Sequence, residues 1–374
     1  MITPTLNYMT NVFFDVRVND VLPEVLLDLG ITRPILITDP GLKELGILDR
    51  LGVDVEAVYD QVQTNPSEAS AMKALDVYLE NECDGCVGIG GGSSMDLAKV
   101  VALLVGHNPP LCQYAFIHGG VKQIKPSLMP PVVAVPTTAG SGSEVGRAAL
   151  VSLDTGDKLA LISPALVPKV AVCDPDLTLS MPTGLTAATG MDAISHCVET
   201  YCSPRFNPIA ESIAIDGLAR GWENIRKVTM DGTDRNARLE MLTAALAGGL
   251  TFQKGLGAVH SLSHALGAFV KRPLHHGTLN AIFLPHVVRF NLKDCRQKLQ
   301  IISDRLHLDS ADGLPDALAE LVLDLGLPTC LKELGVTAED LQPFAAKALA
   351  DHCSVTNPRT MSIDDCVMLY DAAL

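Results

Sequence analysis

No run of 18 apolar residues, the length a membrane-crossing helix needs, occurs anywhere in the 374-residue chain. The opening stretch MITPTLNYMTNVFFDV lacks the basic start and apolar middle of a secretory signal. A cytoplasmic protein with no membrane partner is therefore expected. Aromatic residues are scarce at 4% and charged ones modest at 19%, whereas apolar residues reach 48%. That balance excludes long disorder and describes a well-packed protein. Positive charge is in deficit: 28 Lys and Arg against 43 Asp and Glu give a net charge of −15. An acidic chain without a basic cluster repels nucleic acid, so a small-molecule partner is expected. Paired cysteine motifs are almost missing too. The ten cysteines are scattered, and the one close pair, Cys83-Asp-Gly-Cys86, leads straight into an apolar run. Buried reduced thiols are expected, not a disulfide frame or a redox pair.

The first half of the chain alternates short β-rich runs with helical stretches. PILITD (34–39), VDVEAVYD (53–60), CVGIGG (86–91) and PVVAVPT (131–137) read as strands, and segments 68–81 and 95–105 as crossover helices. This rhythm predicts an α/β domain around a mostly parallel sheet over residues 1–180. Beyond residue 180 the β-rich runs stop and apolar residues recur at helical spacing, as at Leu318, Leu321, Val322 and Leu325. An all-α domain is expected over 181–374, with Pro182, Pro285, Pro315 and Pro328 marking the starts and stops of helices.

Two loops carry binding chemistry. GIGGGSSMDLAK (88–99) follows an apolar strand and opens a helix, so its free N–H groups can face an anion at a positive helix end. Ser93 stands where the strict dinucleotide fingerprint needs glycine, and the Gly-Lys-Ser ending of a P-loop is missing; a dinucleotide pyrophosphate fits better than a triphosphate. PTTAGSGSEVG (136–146) offers the hydroxyls of Thr137, Thr138, Ser141 and Ser143. Either loop alone also reads as a capped turn; together, at two strand ends, they favour binding. Asp39, ending PILITD, is either a ribose partner that would repel the 2′-phosphate of NADP or a helix N-cap before Pro40-Gly41.

In GMDAISHCVET, Asp192 and His196 lie four apart and share one helical face, with Glu199 beside them. AVHSLSHALG places His260 and His264 on another helical face, and LHHGTLN adds His275 and His276. Ser261 stands where a zinc peptidase needs its general-base glutamate, which excludes peptidase chemistry. One carboxylate with three imidazoles and no thiolate suits a catalytic Fe(II), Zn(II), Mn(II) or Co(II). His107, His118, His286, His307 and His352 stand apart in sequence and read as capping or packing residues.

Seven motifs in order, GGGSSMDLAK, PTTAGSGSEV, DPDLTLSMP, GMDAISHCVE, GAVHSLSHALG, HHGTLNAIFLPH and TNPR, resemble the iron-containing (group III) alcohol dehydrogenases from about Pro34 to Arg359. The resemblance implies an N-terminal NAD-binding α/β domain and a C-terminal helical metal-binding domain. It implies Asp192, His196, His260 and His276 as metal ligands, with Fe(II) ahead of Zn(II). His264 matches a histidine beside the nicotinamide and is assigned to proton relay. Asp39 matches the ribose acid; Gly91, Gly92, Ser93 and Asp96 match the pyrophosphate turn; Lys158 matches the lysine near the nicotinamide ribose. Asn65, Thr137, Thr138, Ser141, Thr178 and Leu179 match further cofactor-contacting positions. Many members reach the last ligand through Pro-His-Gly, whereas here Leu274 and His275 intervene between Pro273 and His276-Gly277, so His275 stands as the alternative.

The implied reaction is hydride transfer from a metal-activated alcohol to nicotinamide C4, or the reverse on an aldehyde, with a small alcohol, diol or hydroxy acid as substrate. Members of the family are commonly dimers or larger homo-oligomers. Two rival readings share the architecture: a dehydroquinate-synthase-like lyase, which needs more bases near the histidines than Lys271 and Arg272, and a maleylacetate-reductase-like enzyme. Arg147, after SGSEV, reads as a surface residue or as a partner for a substrate carboxylate.

Overall fold

The computed structural model describes Tyr8 and residues 10–153, 158–269 and 274–374, without the Lys158 side chain. Cα packing divides these residues into two compact units. One comprises Tyr8–Thr138 and Gly142–Ser180; the other comprises Ala139–Ser141 and Met181–Leu374.

The first unit carries β1 (Asn11–Phe14), β2 (Pro34–Ile37), β3 (Val58–Tyr59), β4 (Gly85–Gly90), β5 (Val132–Pro136), β6 (Ala148–Ser152), β7 (Lys158–Ile162) and β8 (Val170–Cys173). Six of them form a sheet in the order β1-β8-β5-β4-β2-β3, parallel throughout, while β6 and β7 pair antiparallel. Every residue of β2, β4, β5 and β8 is buried, as continuous apolar runs in a covered parallel sheet require. Alternation sorts the side chains: Ile35 and Ile37 join the core that includes α3 (Glu68–Glu80) and α4 (Gly92–Gly106). Leu36 joins the core beneath α1 (Val18–Asp28). A short α2 (Pro40–Glu44) follows β2.

The expected strand over 53–60 shrinks to Val58–Tyr59. Its partner β2 is only four residues long, and only Leu36 and Ile37 lie opposite β3, so the preceding alternation has nothing to pair with at this edge. From β2 the chain continues outward to β3 and then crosses to β4, whose neighbour on the far side is β5. The strand order therefore reverses between β2 and β4, and the carboxyl ends of these two strands border the crevice where open α/β sheets take ligands.

The second unit consists of α5 (Thr183–Cys202), α6 (Pro208–Met230), α7 (Arg235–Thr251), α8 (Ala258–Leu266), α9 (His276–Asn291), α10 (Arg296–Arg305), α11 (Leu314–Asp324), α12 (Ala338–Leu341), α13 (Phe344–Ala350) and α14 (Ile363–Ala373). Its described residues contain no strand. Asn207 and Asp234 cap α6 and α7 by accepting from the N–H groups of Ala210 and Ala237, each at 3.0 Å. Ser362 and Asp365 form a capping box on α14. Pro182 caps α5 and Pro315 sits in the first turn of α11, but Pro285 lies inside α9 and does not end it. Proline there removes one backbone bond, and the near-complete burial of α9 on both sides of it offsets that loss. No helix among the described residues is long and apolar enough to cross a membrane.

Asp84 pins the starts of β2 and β4 together. Its carboxylate accepts from Thr32 N at 3.0 Å, Thr32 Oγ1 at 2.6 Å and Arg33 N at 2.9 Å. Burial pushes its pKa up, but these bonds from Thr32 and Arg33 outweigh burial and hold it below the ordinary carboxylate value. Asp84→Ala is expected to cost about 1–2 kcal/mol, lowering the melting midpoint of a chain this long by roughly 1–3 °C. The depressed pKa gives the sign: the contribution is present above about pH 4 and fades as pH falls through the folded value. Parallel melts of wild type and variant at pH 7 and pH 3 check this, with a smaller difference expected at pH 3 than at pH 7.

Candidate functional site

In the helical unit, α5 carries Asp192, His196 and Glu199 on successive turns, all buried. α8 supplies His260 and α9 supplies His276. Asp192 Oδ1 stands 3.5 Å from His196 Nε2, 3.5 Å from His260 Nε2 and 3.6 Å from His276 Nε2. Bonds of 2.0–2.1 Å around a tetrahedral ion separate neighbouring donors by roughly 3.4 Å; each imidazole stands near that spacing from the carboxylate, and Asp192, His196 and His260 place ligand atoms within 4.8 Å of one another. The chemistry of the set also fits a divalent ion, with one anionic oxygen, three imidazole nitrogens and no thiolate.

The electrostatics agree with a site built for positive charge. Burial would raise the pKa of Asp192, yet the imidazoles of His196, His276 and His260 hold it well below the carboxylate range. Burial drives His196 down to about 4 despite Asp192, leaving a neutral ring able to offer a lone pair. His260 is opposed by burial and held up at about 9 by Glu199 and Asp192. Glu199 takes Nδ1 of His260 at 2.5 Å and also accepts from Val259 N at 2.6 Å. One carboxylate thus fixes both the start of α8 and the ring of His260, turning Nε2 toward Asp192. Carboxylate support of this kind raises the basicity of a metal-binding imidazole.

Asn280, one turn after His276, is a member of the cluster that sequence reading missed. Its Nδ2 donates to Asp192 Oδ1 at 2.7 Å and lies 3.1 Å from both His260 Nε2 and His276 Nε2. Two amide hydrogens cannot serve three acceptors, and Oδ1 of the same amide is buried without a hydrogen bond. The crowding of lone pairs at Nδ2 marks where a cation would be welcome. The i, i+4 step from His276 to Asn280 was the available signal.

The order His276-Gly277 has a steric cause. A Cβ on Gly277 would stand 2.2 Å from the Ala188 carbonyl oxygen of α5, so only glycine lets α9 approach closely enough to deliver His276. His275 instead caps α9, its Nδ1 accepting from Thr278 N at 3.4 Å. His264 lies outside the four donors: its ring stacks on His276 at 5.3 Å, and its Nδ1 meets Asp351 Oδ2 at 3.1 Å. His352, expected as a packing or capping residue, instead stacks on His264 at 5.8 Å beside Asp351, because the turn after α13 brings it there.

In the α/β unit, Gly91 caps α4 and Gly92 begins it, directly after β4. Gly90 has φ +144°, and a Cβ there would meet Ser94 Oγ at 2.6 Å, so the turn demands glycine one residue before those singled out from sequence. Ser93 Oγ donates to the Thr64 carbonyl, drawing the loop that contains Asn65 beside the helix start. Thr137 N bonds the Gly90 carbonyl at 3.0 Å, and Thr138 borders Gly91. Asp39 follows β2 and caps α2, its Oδ1 accepting from Leu42 N at 3.1 Å.

Asp96, on α4, is held by groups of the protein. Its oxygens accept from Ser143 Oγ at 2.5 Å and Leu150 N at 2.9 Å, next to the buried Lys99 ammonium. Thr178 is buried and donates to the Pro175 carbonyl at 2.7 Å, with Leu179 directly after it. Ser141 belongs with the helical unit. The Lys158 side chain, Lys271, Arg272 and Pro273 lie outside the described residues.

Residues 10–175 match the family described as iron-containing alcohol dehydrogenase, and residues 186–374 match the C-terminal part of the Fe-containing alcohol dehydrogenase family. The chain belongs to the iron-containing alcohol dehydrogenases. It is 46% identical over 372 residues to a 4-hydroxybutyrate dehydrogenase of Cupriavidus necator, covering 96% of each chain. It is 36% identical over 366 residues to a 1,3-propanediol dehydrogenase of Klebsiella pneumoniae, covering 93% of this chain and 92% of that one. Its structure is similar to that of a 1,3-propanediol oxidoreductase with a TM-score of 0.93 and 33% identity, over 99% of this chain and 100% of that one. These relatives support the dehydrogenase reading and not the lyase or maleylacetate-reductase alternatives. This iron-containing alcohol dehydrogenase is an oxidoreductase.

Glu199→Gln keeps the size of the side chain and removes its charge. The expected outcome is a divalent-metal affinity lowered by about 10–100-fold with the fold retained, read by chelator competition and circular dichroism. Unchanged affinity would show that the Glu199 contact to His260 does not support the donor set.

Proposed function

We propose that this dehydrogenase oxidises the terminal hydroxyl of a short hydroxy acid, and reduces the corresponding aldehyde, using NAD and a divalent ion held by Asp192, His196, His260 and His276. The observation that carries the reading is the convergence of three imidazole nitrogens at 3.5–3.6 Å from one carboxylate oxygen. Fe(II) is favoured by the family, and Zn(II) suits the same donors. The hydroxy-acid preference rests on the 46% identity to the 4-hydroxybutyrate dehydrogenase.

An ion bound there supplies Lewis-acid polarisation of the substrate oxygen. The chain's own groups do the rest. Glu199 retains the Nδ1 proton of His260 and so keeps Nε2 as the donor. His264, with Nδ1 facing Asp351, offers Nε2 for the proton exchanged with the alcohol. Gly91, Gly92 and the start of α4 receive the pyrophosphate of NAD, with Ser93 holding the neighbouring loop. Asp39 takes ribose hydroxyls and repels a 2′-phosphate. Asn65, Thr137, Thr138, Ser141, Lys158, Thr178 and Leu179 are read as further cofactor contacts, and Asp96 as the residue that braces α4 against the loop after Gly142.

Asp192→Ala and His260→Ala are expected to lose turnover while NAD binding by the α/β unit persists, as titration of NADH fluorescence can check; full activity at low metal content would overturn the ligand set. Asp39→Gly should raise the NADP/NAD ratio of kcat/KM, and an unchanged ratio would remove Asp39 from the ribose. NADH absorbance with 4-hydroxybutyrate, 1,3-propanediol and ethanol, on protein loaded with Fe(II) or Zn(II), tests the substrate class. The hydroxy acid should give the highest kcat/KM; a diol preference would contradict the proposal.

A further inference from the structure

His264, Asp351, His352 and Cys353 each place one ligand-type atom within 4.8 Å of all the others. None of the four is among the donors that surround Asp192 Oδ1. Two segments build the cluster: α8 brings His264, and the turn following α13 brings the other three. Asp351 Oδ1 accepts from Cys353 N at 2.8 Å, which folds the turn back on itself and sets the three side chains around a common centre. His264 Nδ1 stands 3.1 Å from Asp351 Oδ2, His352 Nδ1 3.6 Å from Asp351 Oδ1, and Cys353 Sγ 3.5 Å from His352 Nε2. Tetrahedral zinc with nitrogen and oxygen at 2.0–2.2 Å and sulfur at 2.3 Å separates its ligands by roughly 3.3–3.8 Å; the two His352 contacts fall in that range through different ring nitrogens, and the 3.1 Å contact of His264 with Asp351 is a hydrogen bond that an ion would replace. The four ligand-type atoms, within 4.8 Å of one another, draw closer when they close around one ion, with a single His352 nitrogen serving. That side chain is 21% exposed, giving an ion a route from solvent, whereas Cys353 is buried.

We propose that His264, Asp351, His352 and Cys353 form a second cation site, thiolate-containing and therefore of the Zn(II) class, distinct from the Asp192 cluster. Binding forms a sulfur–metal bond and sends the Cys353 thiol proton to the buffer, with no change of oxidation state. The sulfur ligand separates the two sites chemically, since soft thiolate favours zinc over iron. Occupation ties up His264. Excess zinc therefore inhibits the enzyme through this cluster, a consequence that rests on the proton role proposed for His264, whereas the site itself does not.

Anaerobic Co(II) titration of the full chain tests the site directly. Wild type is expected to take two equivalents, one of them producing a near-ultraviolet sulfur-to-cobalt charge-transfer band that nitrogen and oxygen donors cannot give. Asp192→Ala should keep the band and lose the other equivalent, so failure of the Asp192 ligand set is read separately. Cys353→Ala should lose the band and one equivalent. His352→Ala, at a partly exposed position, should weaken the band-forming equivalent at least tenfold and serves if the buried substitution fails to fold. Zinc inhibition should weaken at least tenfold in Cys353→Ala, at an uninhibited activity near wild type. A single equivalent without a charge-transfer band in wild type, two equivalents with no band, or a band that survives Cys353→Ala would each overturn the second site; a single equivalent with the band would overturn the Asp192 set instead. Zinc inhibition unchanged by Cys353→Ala, with the band lost, would overturn the inhibitory consequence alone.

Discussion

A carboxylate cannot remain charged inside a protein unless something positive or hydrogen-bonding answers it. Asp192 is buried on α5 and held ionised, and the arrangement around it follows from that demand. His196 arrives from the same helix face, His260 from α8, and His276 with Asn280 from α9, all turned toward one oxygen. Glu199, a second buried carboxylate, meets its own need by taking His260 Nδ1 and the Val259 N–H, which sets the rotation of the ring. Gly277 removes the one side chain that would hold α9 away from α5. The helical unit thus packs around buried charge as well as apolar area.

The α/β unit works from the opposite principle. Its central strands β2, β4, β5 and β8 are short, buried and uncharged, and its chemistry gathers where the order of strands reverses, at the carboxyl ends of β2 and β4. Gly90, Gly91 and Gly92 leave backbone N–H groups uncovered at the start of α4, while Asp96 and Lys99, one turn further, lock that helix to the segment around Ser143, Gly146 and Ala148. The turn is therefore rigid from behind and open in front, as preorganised anion binding requires.

Local patterns were legible in the sequence, and long-range juxtapositions were not. The apolar runs that became β2, β4 and β5, the helices at 68–80 and 92–106, and the helical change after residue 180 could all be read from periodicity and turn residues. Residues 53–57 alternate like a strand, but pairing depends on a neighbour, and β2 offers only Leu36 and Ile37. Pro285 looked like a helix boundary because the local rule ignores the burial that carries α9 through it. In the site, the four-residue step from Asp192 to His196 was visible, and nothing local says that the turn at Asp351 folds against His264, 87 positions away. His352 read as ordinary for the same reason. Asn280 was missed because an amide draws less notice than a histidine, although its spacing from His276 placed it on the same face.

The central claim is that one carboxylate and three imidazoles form a sulfur-free cation site. X-ray absorption at the zinc edge, on Cys353→Ala protein carrying one equivalent of Zn(II), tests it most directly. The account predicts nearest neighbours at about 2.0–2.1 Å, all nitrogen or oxygen, with outer scattering from three imidazole rings. Scattering from fewer than two imidazoles, or a sulfur neighbour near about 2.3 Å, would contradict it.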